Sequence, residues 1–244
     1  MVFAAPTLAS FRSRIDALPS SVAPGDIQND GFLLGQEGKL AVYYAPLDWI
    51  NAGARIVLVG LTPGWSQTKI AFEECCVALR ERLSEDGASK AAKAQASFAG
   101  MRKRLCAWLD DLGVDDWLGV GTTDELFADR RDLVHTTSLI RYPVFVGADA
   151  RNYTGYHPTP VTSPLLRSII DEVLVPELAQ LSDALIVPLG RSVAAALNAV
   201  GVAADHCLFG FPHPSGANGH GPSQFAAERA GMRHVVACMP PLAH

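Results

Sequence analysis

The segment from residue 209 to residue 221 holds the side chains best suited to chemistry. It carries two histidines, a serine, an asparagine and four glycines, with prolines on both sides of His213. Prolines fix φ and glycines permit positive φ, so the composition predicts a loop that holds one imidazole rigidly and lets a ligand approach the backbone. A rigid imidazole can donate a hydrogen bond to an atom on which negative charge develops. The alternative is a surface loop punctuated by turn residues.

A second loop follows the first long apolar run of the chain. Residues 56–59 are continuously apolar, Gly60 ends the run, and a Thr-Pro-Gly turn comes next. Such a run is typical of a buried parallel strand. Ligands of open α/β sheets bind outside the carboxyl ends of the strands. We therefore expect the turn and His213 to converge at one edge of a sheet and to enclose a glycine-lined cavity.

These two loops resemble the motifs of a known family. The early Gly60-Leu61-Thr62-Pro63-Gly64 and the late His213-Pro214-Ser215 are similar to the G-x-x-P and H-P-S motifs of the uracil-DNA glycosylase superfamily. The similarity extends over roughly residues 55–240, and residues 186–197 resemble the strand–Leu-Gly-Arg–helix unit that precedes the histidine loop in several branches. The resemblance implies an α/β fold, a three-layer α/β/α sandwich with a central, mostly parallel four-stranded sheet.

The resemblance also implies an activity, the hydrolysis of the N-glycosidic bond of uracil or another deaminated base in DNA during base excision repair. Such enzymes act on a nucleotide flipped out of the stack, so the expected partner is single- or double-stranded DNA with a flipped-out damaged base. Negative charge gathers on the departing base, which therefore needs a nearby hydrogen-bond donor. His213 takes that role by resemblance. Neither a cofactor nor a metal is implied.

Thr62 is the second catalytic residue that the resemblance indicates. It stands where many relatives have an aspartate or asparagine that activates water. A threonine hydroxyl can orient water, but it is too weakly acidic to serve as a general base at neutral pH. Glu73, Glu74 and Asp149 are alternative sources of an acid.

The remaining residues that the resemblance brings to the substrate lie in or beside the two loops. They are Gly60, Leu61, Pro63, Gly64, Trp65, Phe72, Ser138, Ser215 and Asn218. Gly64 replaces a tyrosine that blocks the thymine methyl group in the uracil-specific branch, so a wider pocket is expected. Trp65 and Phe72 are the nearest aromatic residues that could stack on a base, with the protein core as the alternative. Ser138 matches a polar residue at a strand end, and Ser215 can contact a phosphate.

The charge balance leaves other functions open. A net charge of −5 and a pI near 5.8 count against tight non-specific binding to duplex DNA. The loop at residues 216–221 also lacks the leucine or arginine wedge that some relatives insert into DNA. One alternative is a glycosylase-fold protein without base-excision activity that binds a nucleotide, a modified base or a protein partner. Another is an unrelated α/β hydrolase or transferase, but neither a nucleophile elbow nor a P-loop is present.

The cysteines and apolar runs predict the compartment. Five scattered cysteines indicate reduced thiols and not a disulfide framework. Some relatives hold an iron–sulfur cluster with a cysteine pair ahead of the first motif, whereas the first cysteine here is Cys75. We therefore expect no iron–sulfur cluster. No apolar run is long enough to cross a bilayer and no secretory signal is recognisable, so a cytoplasmic protein without a membrane partner is expected.

The order of elements predicts one domain over residues 1–244. An N-terminal helix and loop at residues 1–38 should pack on a glycosylase-like core at residues 39–244. The predicted strands are an edge strand at 39–45, then 56–60, 133–140, 183–188 and 207–209. The predicted helices are 67–83, 89–112, one capped by Thr162 or Ser163 and ending near 181, 191–200 and 223–230.

Overall fold

The structure, a computed structural model, describes residues 3–241 and combines α-helices with β-strands, which confirms the α/β class. Its strands are β1 (Leu33–Glu37), β2 (Leu40–Tyr43), β3 (Ile56–Gly60), β4 (Val134–Ser138), β5 (Val144–Val146), β6 (Arg151–Asn152) and β7 (Leu185–Pro188). Its α-helices are α1 (Leu8–Asp16), α2 (Pro24–Ile27), α3 (Trp65–Arg80), α4 (Glu85–Ala96), α5 (Arg102–Asp111), α6 (Val114–Leu118), α7 (Pro164–Ile169), α8 (Val175–Ala179), α9 (Arg191–Ala199) and α10 (Gly221–Cys238). A π-helical turn, Ile170–Leu174, joins α7 to α8.

The chain forms two compact units, each assembled from three stretches. Unit 1 comprises the residues up to Ile50, Leu61–Ser97 and Ser138–Glu177. Unit 2 comprises Asn51–Gly60, Phe98–Thr137 and the residues from Leu178 onward. The single domain expected from the sequence stays a prediction.

Unit 2 contains a parallel sheet with the strand order β4-β3-β7. The five residues of β3 are all buried, as their continuous apolar sequence predicts. Its parallel register with β7 pairs Ile56 with Leu185 and Val59 with Pro188. Leu105 of α5 and Phe225 of α10 belong to the same buried cluster as Ile56.

The prediction of one central four-stranded sheet is wrong. The expected last strand, 207–209, contributes a single parallel bridge from Cys207 to Ile186. The backbone turns immediately afterwards, since the amide of Phe209 donates to the carbonyl of Cys207 and that of Phe211 to the carbonyl of Leu208. The segment therefore enters the histidine loop before a fourth ladder can form.

Unit 1 contains a separate antiparallel sheet with the order β1-β2-β5-β6. The strand expected at the edge is β2, and this position is wrong because β1 and β5 pair with it on both sides. The N-terminal region thus supplies a strand as well as helices. Its aromatic side chains build the core of unit 1, where Phe11 stacks on Tyr44 at 4.1 Å between ring centroids.

Two helices stand where the sequence predicted a single one at residues 89–112. The chain breaks between α4 and α5, where Phe98 has φ +53° and Gly100 has φ +83°. Neither conformation continues a right-handed helix. By contrast, the Ser163 cap is confirmed, because its hydroxyl accepts a hydrogen bond from the Leu166 amide at 3.2 Å. Among the described residues, none of the helices has the length and apolar character needed to cross a membrane.

Candidate functional site

The histidine loop of unit 2 begins at an aromatic anchor. Phe211 is almost completely buried and packs edge-on against Trp108 and Phe225, with centroid distances of 5.9 and 6.2 Å. The carbonyl of Phe211 accepts a hydrogen bond from the Gly190 amide at 3.1 Å. The start of the loop is therefore fixed to the segment that follows β7.

Gly190 sets the position of His213. It has φ +103° and ψ 163°, a backbone conformation that essentially requires glycine. A Cβ atom at this position would lie 3.2 Å from the Cβ of His213. The preceding residue, Leu189, donates its amide hydrogen to the carbonyl of Val59 at 2.9 Å. His213 thus lies at the carboxyl end of the parallel strands, at the same edge of the sheet as Gly60.

The imidazole of His213 has a defined hydrogen-bonding state. The backbone amide of Ser215 donates to its Nδ1 at 3.2 Å, so Nδ1 bears the lone pair. In the neutral ring the hydrogen then resides on Nε2. Burial lowers the pKa of His213, which favours this neutral form at pH 7. The loop consequently presents an Nε2–H donor.

Two further side chains hold the loop in place. The Asn218 amide donates to the carbonyl of His213 at 3.1 Å, so this residue, expected at the substrate, supports the histidine backbone. Arg104 donates from Nη1 to the carbonyl of Ser215 at 3.0 Å. The arginine lies 111 residues away in sequence, within the basic run Arg102–Arg104.

The early loop belongs to unit 1 from Leu61 onward. The carbonyl of Leu61 accepts a hydrogen bond from Ile140 at 3.0 Å. The Thr62 hydroxyl donates to the carbonyl of Tyr142 at 2.8 Å and accepts from the amide of Val144 at 3.2 Å. Because its hydrogen is donated to the backbone, Thr62 acts in this structure as a link between two loops.

The turn ends at Gly64, directly before α3. The amide of Trp65 donates to Oδ1 of Asn152 at 3.0 Å. A Cβ atom on Gly64 would lie 3.3 Å from Nδ2 of the same asparagine. The Trp65 ring is half-buried beside Phe145, with the centroids 6.5 Å apart. Asn152 is an exposed polar residue beside the Gly60–Gly64 motif. In the sequence, only its position in a long stretch without regular structure indicated a function.

Other predicted residues of unit 1 lie in different surroundings. Phe72 is fully buried, and its ring packs edge-on against Phe32 at 5.1 Å. Phe72 therefore belongs to the core, and its expected contact with a base is wrong for this packing. Pro63 is buried, and Ser138 ends β4 half-exposed. The carboxylate of Glu73 accepts a hydrogen bond from the Val22 amide, so this alternative acid has a structural contact.

A cluster of buried charges in unit 1 was not anticipated. The Tyr44 hydroxyl donates to Oδ2 of Asp48 at 2.7 Å, whereas Oδ1 is buried without a hydrogen-bond partner among the residues described. Burial raises the pKa of Asp48 to about 6, although the Tyr44 hydrogen bond and the nearby Arg141 and Lys93 act in the opposite direction. A perturbed carboxyl group of this kind is common at functional sites and in structural ion clusters alike.

The same cluster links the three stretches of unit 1. Arg141 pairs with Glu177, with Nε 3.1 Å from Oε2. Lys93 donates to the carbonyl of Trp49 at 2.7 Å and lies 4.0 Å from the Glu177 carboxylate. Burial lowers the pKa of Lys93 to about 8, and Glu177 opposes that shift. Because every partner is buried, removal of one charge would leave another uncompensated.

Metal ligands do not gather at these sites. Within residues 3–241, no group of three or more histidine, cysteine, aspartate or glutamate side chains is arranged to hold a metal ion.

Comparison with known proteins gives one family relationship. No family model matches the chain, and no solved structure has significant similarity to it. A curated relative is 36% identical over 238 residues, which cover 94% of this chain and 91% of the relative. That relative is described as the uncharacterized protein YoxB of Bacillus subtilis (strain 168). The similarity therefore includes both loops and both units.

Proposed function

The chain belongs to the same family as YoxB of Bacillus subtilis, and from its own residues we propose that it is a DNA glycosylase. The reaction would be hydrolysis of the N-glycosidic bond of uracil or another deaminated base in DNA. The observation that carries the proposal is the His213 imidazole, whose Nδ1 accepts the Ser215 amide hydrogen and which is held at the carboxyl edge of a parallel sheet. This is a site at which open α/β sheets bind ligands.

The proposed role of His213 follows from the charge that develops in the reaction. As the glycosidic bond stretches, negative charge accumulates on the base, and a positioned N–H stabilises it without reorganisation. The Ser215 amide binds the ring at Nδ1, and the missing side chain of Gly190 gives room for the Cβ of His213, which leaves Nε2 for the base. A donor of this type contributes about 3 kcal/mol, or roughly a hundredfold in rate.

The proposed substrate preference follows from the Gly64 turn. By the family resemblance, a glycine in place of the tyrosine that blocks the thymine methyl group supports a base preference wider than uracil alone. Asn152 offers an exposed amide beside this turn, and the half-buried Trp65 offers a ring face for stacking. The loop at residues 216–221 has no leucine or arginine wedge, which supports single-stranded DNA as a substrate. A cytoplasmic location suits its five unpaired cysteines.

The test is cleavage of oligonucleotides that carry uracil, hypoxanthine or xanthine, in single- and double-stranded form. Alkali-labile sites report base removal. We expect one substrate to be cleaved, and His213→Ala to slow its cleavage about a hundredfold. The matched control is His220→Ala, which removes an exposed histidine from the same loop and should leave the rate unchanged. Equal cleavage by His213→Ala and wild type would contradict the role assigned to this imidazole.

A second candidate is a glycosylase-fold protein that binds a nucleotide, a modified base or a protein partner without cleaving the glycosidic bond. The specific observation in its favour is that the Thr62 hydroxyl donates its hydrogen to the backbone, so it is engaged where many relatives have a water-activating acid. Binding of a base or nucleotide that His213→Ala weakens, with no substrate cleaved by the wild type, would select this candidate.

A further inference from the structure

A cavity of about 1050 Å³ lies in unit 2, at the end of the sheet opposite the histidine loop. Arg55, which directly precedes β3, and Leu133, which directly precedes β4, contribute to its wall. Trp117 and Met239 line it as well. His213 lies beyond the carboxyl ends of the same strands, and a five-residue strand such as β3 spans about 17 Å. The cavity is therefore separate from the site proposed for base excision.

Arg55 is the residue that indicates a ligand. Its backbone is fixed in the sheet, since its amide donates to Leu133 at 2.8 Å and its carbonyl accepts from Leu185 at 2.9 Å. Its side-chain Nε is buried and has no hydrogen-bond partner within residues 3–241. Arg55 itself is half-buried, and its guanidinium is always charged. Because Arg55 lines the cavity, an acceptor on a bound molecule would compensate the charge of the guanidinium.

The charges around the cavity favour an anion. Arg130 and Arg233 also line it, and Asp116 is the acidic residue of the lining. Both of these arginines already contact an aspartate, each at 3.3 Å, so their charges are partly compensated. The Nε of Arg55 has no hydrogen-bond partner in the described part of the chain. Among the lining residues themselves, three arginines stand against one acid, and this excess suits a ligand with one anionic group.

The remaining wall is apolar and has a fixed aromatic ring. The indole N–H of Trp117 donates to the carbonyl of Pro240 at 3.0 Å, which orients the ring. Leu112, Val236 and Met239 complete this part of the wall. We propose that the cavity binds a small organic oxyanion, whose carboxylate or phosphate group contacts Arg55 and whose apolar or aromatic body packs near Trp117. The planar guanidinium fork matches both kinds of oxyanion.

The test measures binding of three related probes to the full chain by isothermal titration calorimetry. Phenyl phosphate and benzoate carry an anionic group on a ring, and phenol carries the ring without the anion. We expect at least one of the two anions to bind at least about tenfold more tightly than phenol, because a charge-assisted hydrogen bond is worth a factor of this size or more. The stronger of the two anions identifies a phosphate or a carboxylate as the preferred group.

Substitutions of Arg55 connect the binding to the cavity. Arg55→Gln should weaken the preferred anion about tenfold or more, and Arg55→Lys should recover part of that loss. Arg12→Gln, which alters an exposed arginine of unit 1, and His213→Ala should both bind it as the wild type does. Should Arg55→Gln fail to fold, Arg130→Gln and a loss of affinity with rising salt provide the same test. The proposal would be overturned if phenol and both anions bind equally, or if the arginine variants bind with wild-type affinity. It would also be overturned if no probe binds at millimolar concentrations.

Discussion

Replacing Asp48 by asparagine should remove a contribution that makes the protein less stable as the pH rises between about pH 4 and pH 7. Burial raises the pKa of this carboxyl group from 3.8 to about 6. The folded chain therefore binds more protons than the unfolded chain over this interval, and stability falls as the pH rises. The penalty is absent below the unfolded-state pKa and complete above the folded-state pKa.

The size of the effect follows from the two pKa values. A folded-state pKa of about 6 against 3.8 corresponds to a penalty of about 3 kcal/mol at pH 7.5, at about 1.36 kcal/mol per pKa unit. At pH 5 the same values leave a penalty of about 1.6 kcal/mol. The wild type should therefore gain about 1.4 kcal/mol from this group between pH 7.5 and pH 5. Asparagine does not titrate, so the variant should lack this gain.

Urea unfolding of both proteins at the two pH values, followed by tryptophan fluorescence, measures this difference. The quantity compared is the change in unfolding free energy between the two pH values. Any pH-independent cost of placing an amide among buried charges cancels in this difference. Asp129→Asn is the matched control, since Asp129 is exposed. A variant at Asp48 that gains as much stability as the wild type on acidification would refute the assigned origin of the pH dependence.

Three other substitutions test contacts around the two loops. Gly190→Ala should lower the free energy of unfolding by about 1–3 kcal/mol in urea unfolding, because the backbone conformation of Gly190 excludes a Cβ. The substitution should also displace His213, which would change the NMR signal of its imidazole. Thr62→Val should cost about 1–3 kcal/mol because two backbone groups lose their partner, and Thr62→Ser should restore most of that stability. Asn51→Ala should cost about 2 kcal/mol by the same measurement, because the Asn51 amide donates to three carbonyl groups beside the start of β4.

The parallel strands could be predicted closely because their signal is local. A continuous apolar run bounded by turn residues fixed the positions of β3 and β7 to within about two residues. The antiparallel sheet of unit 1 could not be predicted in the same way. Its β5 and β6 have only three and two residues, and both lie in a stretch whose composition is typical of an irregular loop. β5 pairs with β2, about a hundred residues earlier, and β6 pairs with β5.

The sequence could predict which residues form the histidine loop, but not which distant residues hold the two loops in place. Prolines and glycines around His213 predicted a rigid loop, and its backbone contacts are consistent with that expectation. The contacts of Arg104 and Asn152 join residues 111 and 87 positions apart, a relation that no local pattern encodes. For Phe72 the sequence left both a core and a ligand position open, because an aromatic residue next to a turn has the same local pattern in either place, and the structure shows it in the core.

The alternation of the two units along the chain constrains how the protein can be made. Unit 1 lacks part of its buried charge cluster until Glu177 has been synthesised, and unit 2 lacks α10 until the last helix leaves the ribosome. Neither unit can therefore complete its own interior cotranslationally from an early segment. No single contiguous fragment contains either unit alone, so truncation is unsuited to isolating one loop from the other, and point substitutions in the whole chain are the appropriate tool.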